Sequence, residues 1–92
     1  TNGTEEKISL DIRNGSGIAG VAGKTAELLE NDYEVVNIGN AEGSDYKKNL
    51  IINLTGKNVD SLAAEINADV ADELPAGEEG SEADVILILG RD

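Results

Sequence analysis

Three glycines carry the spacing in this chain that comes nearest to a known chemistry. In "IRNGSGIAG", Gly15, Gly17 and Gly20 spell G-x-G-x-x-G, between a run that alternates like a strand (Ile8, Leu10, Ile12) and one spaced like a helix. That pattern is the fingerprint of a dinucleotide-binding turn, where glycines let the backbone approach a pyrophosphate at a helix N-terminus. The rest of that machinery is missing. A ribose-binding acid belongs about 20 residues further on, yet the second predicted strand ends Val36-Asn37-Ile38-Gly39-Asn40 and the next acid is Glu42. No G-x-x-x-x-G-K-[ST] phosphate loop occurs either. Asn14, Gly15, Ser16, Gly17 and Gly20 are therefore read as a structural turn, and no cofactor is expected.

Other reactive constellations are equally sparse. The chain has no Cys and no His, which removes disulfides, thiolate sites, the commonest general base and the commonest zinc ligand. Its Ser, Thr, Asp, Glu and Lys residues form no recognised nucleophile–base pattern, so the expectation is a non-enzyme. Glu78-Glu79 lies in a glycine-rich stretch and reads as solvated surface rather than a metal site. One positive island stands out. "SDYKK" sets Tyr46 beside Lys47 and Lys48, an aromatic face and two cations able to meet a sugar or a carboxylate. It is the candidate binding loop, weighed against an ordinary loop in which Tyr46 packs over a sheet edge.

Charge narrows the partners. A formal charge of −12 argues against nucleic acid, anionic membrane surfaces and polyphosphate polymers. Residues 58–90 hold nine acids and no base, while the first 57 hold nine acids against six bases. This is read as a solvated acidic face. No run of roughly 18 apolar residues is present to span a bilayer, so direct membrane insertion is not expected. "TNGTEEK" starts without Met and reads as a piece of something longer, with residues 1–6 a tail or linker end.

Ninety-two residues fit one domain whose core must be aliphatic, with nine Ile, nine Leu and six Val but no Phe, Trp or Met. The patterning predicts a strand near 7–13 and then a helix burying Ile18, Val21, Ala22, Thr25, Leu28 and Leu29, capped by Ser16 or Asn14. A strand in "YEVVNIGNA" follows, with Tyr33, Val35 and Asn37 on one face. After the polar loop come a strand in "NLIINLTG" and a helix burying Val59, Leu62, Ala63 and Ile66. An irregular stretch, "DVADELPAGEEGSEAD", leads to a last strand, "VILIL", apolar on both faces. The order is βαββαβ. It predicts an α+β sandwich of the split βαβ, ferredoxin-like kind, a four-stranded sheet with two helices on one face. Val70 and Leu74 are expected to cover the second face of the last strand.

In "ISLDIRNGSGIAGVAGKTAELLENDYEVVNIGNA", "DYKKNLIINLTG", "LAAEI" and "DVILILGRD" the chain resembles the LytR C-terminal domain over residues 7–92. The Asn14-Gly15-Ser16-Gly17 turn with Gly20, the Asn40-Ala41 pair, the Tyr46-Lys47 loop and the closing Gly90-x-Asp92 carry the resemblance. Asp32-Tyr33 stands where the family usually has Gly-Phe, and Asn53 where an apolar residue is common. The resemblance implies an extracytoplasmic accessory domain of bacterial cell-envelope proteins, at the cell surface and tethered by a membrane anchor outside this segment. Such domains often follow the catalytic domain of LytR-CpsA-Psr proteins, which transfers glycopolymers to peptidoglycan. The implied partners are a neighbouring catalytic domain or an envelope protein, with direct peptidoglycan binding as the alternative.

Overall fold

A computed structural model of the chain describes residues 7–43, 46–56, 58–75 and 77–91. The elements run β1 (Ser9–Asn14), α1 (Val21–Leu29), β2 (Glu34–Asn40), β3 (Asn49–Asn53), α2 (Asp60–Ile66), β4 (Ala68–Ala71) and β5 (Val85–Leu89). They form an α+β fold with one mixed sheet in the order β2-β1-β5-β3-β4. Both β1–α1–β2 and β3–α2–β4 are βαβ units whose strands are parallel neighbours. The apolar last strand lies between the two units, parallel to β1 and antiparallel to β3.

The sheet therefore has five strands rather than four, and its βαβ units are not split as in a ferredoxin-like fold. The extra strand is "ADVA". Asn67, at φ 53°, ends α2 in the left-handed conformation and turns the chain straight into β4. β4 is short, lies at the sheet edge and exposes Asp69 and Val70, so it lacks the apolar alternation that marks a half-buried strand.

Strand alternation divides the core. Leu10, Ile12, Ile51, Val85, Leu87 and Leu89 meet both helices through Ala22, Ala26, Leu29, Val59 and Leu62. On the opposite face, Ile52, Ile86 and Ile88 pack with Ala41, Tyr46, Leu50 and Leu74. Leu74 thus takes its expected place over the last strand. Val70 does not, being 47% exposed on β4.

Helix α1 is shorter than its apolar spacing predicts. It begins at Val21 after Gly20, whose φ of 86° stops the helix from extending backwards, and neither Ser16 nor Asn14 caps it. Ile18 consequently lies ahead of the helix and is 50% exposed, while Leu28 falls off the buried stripe of Ala22, Ala26 and Leu29. In β2 a bulge shifts the register, so Leu10 faces Val35 but Asp11 faces Asn37. Val35 joins the helix-side core while Asn37 bonds Asp11 on the other face, which separates two residues that simple alternation places together.

Candidate functional site

The polar side chains of the sheet's second face form one network. Asp11 and Arg13 sit two apart on β1, with residue exposures of 4% and 9%. Arg13 donates to Asp11 Oδ2 at 3.1 Å and to the carbonyls of Glu79 at 2.6 Å and Gly80 at 3.1 Å. It also lies 3.8 Å from Glu78 Oε1. Glu78 in turn accepts from the Glu42 and Gly43 amides and from the Tyr46 hydroxyl. These bonds hold residues 78–80 against the sheet and satisfy charges that would otherwise be costly to bury.

The network sets the ionisation of both carboxylates. Burial alone would push Asp11 up, but hydrogen bonds from Asn37, Ser81 and Arg13, with the Arg13 charge, hold it below its ordinary value. Burial acts likewise on Glu78. The Glu42 amide, the Tyr46 hydroxyl, the Gly43 amide and the Arg13 charge outweigh it and lower that carboxyl too. Both stay ionised as acceptors. The sequence signal for this pair is the alternation in "LDIRN", which puts opposite charges on one face of an otherwise apolar strand.

Tyr46 belongs to this scaffold. Its ring packs at the Ile52, Ile86 and Ile88 cluster, its amide donates to the Gly15 carbonyl, and its own carbonyl accepts from the Arg91 amide. Lys47 and Lys48 are exposed beside it. Ser44 and Asp45, the start of the candidate loop, lie outside the described residues, as does the expected tail at 1–6.

The glycine turn ends β1. Asn14 Oδ1 accepts from the Ser16 amide and hydroxyl, Ser16 Oγ accepts from the Ile18 amide, and Asn14 Nδ2 donates to the Ile18 carbonyl. The Gly15 amide donates to Leu89 at 2.8 Å. The amides of Gly15, Ser16 and Ile18 are thus engaged within the chain, where a phosphate cradle would need them turned outward. Gly15 is also required sterically, because a Cβ there would sit 2.5 Å from Tyr46 Cδ2 and 2.8 Å from Ile88 Cγ2.

Two shallow cavities flank β2. One, about 250 Å³, lies at the turn between Asn14, Gly17, Ile18, Ala19, Asn40 and Ala41. The other, about 370 Å³, opens beside β2 between Ser9, Asp11, Val36, Asn37 and residues 81–83. Val36 and Ile38 leave half their surface exposed, at 49% and 50%. The outer side of β2 pairs with no strand among the described residues.

The model of a family described as LytR cell envelope-related transcriptional attenuator matches residues 7–92, essentially the whole chain. The chain belongs to the LytR C-terminal domain family. That family is an accessory, non-catalytic one associated with cell-envelope proteins, which ties this LytR C-terminal domain to the envelope. No curated protein and no solved structure gives a significant match. Among the described residues, no helix is long and apolar enough to cross a membrane.

Proposed function

We propose that this LytR C-terminal domain acts by protein interaction, positioning or regulating a catalytic domain or another protein of envelope assembly. Its setting is extracytoplasmic, held at the cell surface by a membrane anchor outside this segment. The supporting observation is the exposed apolar surface of the β1–α1–β2 half. Ile18, Leu28, Val36 and Ile38 are each about half exposed or more, and two of them lie on a strand whose outer side is open among the described residues. Asp11, Arg13, Tyr46 and Glu78, by contrast, are engaged in holding the fold together.

A photo-crosslinking residue at Ile38 in the membrane-tethered parent tests this reading. Capture of an envelope protein, or of a catalytic domain in the same chain, is the expected result, and Ile18→Asp should reduce it. Recovery of wall polymer alone, insensitive to Ile18→Asp, would transfer the function to direct wall binding.

A further inference from the structure

We infer that β2 is a docking edge for an extended basic segment of a partner polypeptide, which adds as a sixth strand and places a Lys or Arg side chain in the cavity beside Asp11. The inference rests on the protein-interaction reading and supplies its partner's chemistry. An open strand edge offers a row of backbone donors and acceptors, and natural sheets commonly guard such edges with short strands, Lys or Pro. β4, at the opposite edge, is guarded by its four-residue length and the exposed Asp69. β2 runs for seven residues with neither Lys nor Pro. Its bulge lies early, leaving Asn37 to Asn40 in regular register with Asp11 to Asn14.

Side-chain direction then specifies the guest. A residue opposite Ile38 falls on the helix side, next to an exposed apolar side chain, whereas one opposite Asn37 falls on the side of Asp11. Apolar and basic residues must alternate. The cavity on the Asp11 side is lined by Val36 and Ala83 and by Ser9, Asp11, Asn37, Ser81 and Glu82, the last five able to accept from an ammonium or guanidinium. Arg13 is shared between Asp11 and Glu78, and the exposed Glu82 adds a further carboxylate to the cavity. Long-range charge points the same way: residues 25–46 contain six acids and no base. A second copy of this chain is the wrong partner, since it would bring its own six acids of residues 25–46 against these.

The test uses the 92-residue chain and a capped peptide as long as β2 that alternates valine and lysine. Its controls are the same peptide N-methylated at alternate amides and a version with glutamate for lysine. Amide shifts should map to residues 34–40, and N-methylation should weaken binding about tenfold or more because the ladder bonds are lost. Glu82→Gln should weaken the lysine peptide severalfold, and the glutamate peptide should not bind. Equal binding of the N-methylated peptide, or shifts confined to the acidic surface of 58–74, would overturn strand addition. The interaction reading survives that result if the Ile38 crosslink still captures an envelope protein, and falls with it if the crosslink yields only wall polymer.

Discussion

The Tyr46 hydroxyl donates a 2.8 Å hydrogen bond to Glu78 Oε2, joining residues 32 positions apart. Through it the loop after β2 and the long connection before β5 become one lid over the sheet's second face. Glu78 is the hub, with a side chain only 2% exposed and contacts from two amides, one hydroxyl and one guanidinium. Tyr46→Phe removes one bond and should cost about 1 kcal/mol, whereas Glu78→Ala strands several donors and should cost about 3 kcal/mol. Urea unfolding measures both. Equal losses would mean that Glu78 is no hub.

The same hub gives the fold an acid limit. Asp11 and Glu78 titrate below their ordinary values of 3.8 and 4.5. A lowered folded-state pKa contributes stability that is fully present above the unfolded value and lost as pH falls through the folded one. From pH 7 to about 5 this contribution should stay constant, and below about 4 it should fall away. Protonating exposed acids meanwhile relieves the −12 charge, so the informative quantity is the difference between wild type and Glu78→Gln. That difference should shrink as pH drops from 5 to 3. A constant gap would sink the assignment.

Three glycines should respond in three ways. Gly15→Val meets Tyr46 and Ile88 and should destabilise by about 2 kcal/mol. Gly20→Val has open space but a φ of 86°, so its cost is backbone strain of about 1 to 2 kcal/mol. Gly23, exposed in the middle of α1 with nothing within 4 Å of a built Cβ, should gain about 0.5 to 1 kcal/mol as Ala. NAD, FAD and ATP should leave the wild-type melting temperature unchanged. A micromolar affinity in calorimetry for any of them would restore the dinucleotide reading of the turn.

The two residues expected over β5 now separate. Leu74 packs at the Ile52, Ile86 and Ile88 cluster while Val70 is half exposed. Leu74→Ala should therefore cost about 1 to 2 kcal/mol and Val70→Ala under about 0.5 kcal/mol. Thermal unfolding at matched concentration decides the order.

These contrasts show what the residue pattern could carry. The dense aliphatic runs around Ile12, Ile51 and Leu87 made β1, β3 and β5 legible, because burial there follows residue type directly. α2 was legible through Val59 and Leu62, spaced for one buried face. β4 was not, because an exposed edge strand has no apolar alternation to display, and its one cue was Asn67 as a left-handed helix end. The bulge in β2 left no mark in "EVVNIGN", since it arises from pairing with β1. The candidate site was legible only in parts: the turn residues announced themselves by type, but the partnership of Asp11, Arg13, Glu78 and Tyr46 depends on contacts across dozens of residues.

Wall binding is the remaining contest, and the structure sharpens how to stage it. Replacing Tyr46, Lys47 and Lys48 together confounds binding with stability, because Tyr46 anchors Glu78 and its amide bonds Gly15. Lys47 and Lys48 are exposed, so Lys47→Ala with Lys48→Ala should leave the fold within about 0.5 kcal/mol of wild type. The acids of residues 58–90 repel anionic wall polymers, most strongly at low salt where screening is weak. Lys47 and Lys48 are adjacent exposed cations, with Lys7, Lys24 and Arg91 exposed singly elsewhere. If peptidoglycan peptide carboxylates contact this domain through that pair, two exposed cations give affinity of only about millimolar order. Sedimentation with purified peptidoglycan should accordingly recover little of the isolated domain. Any amount recovered should fall with the double substitution and with added salt. Binding that is tight and indifferent to both changes would place a wall site elsewhere on the domain and would count against protein interaction as its main role.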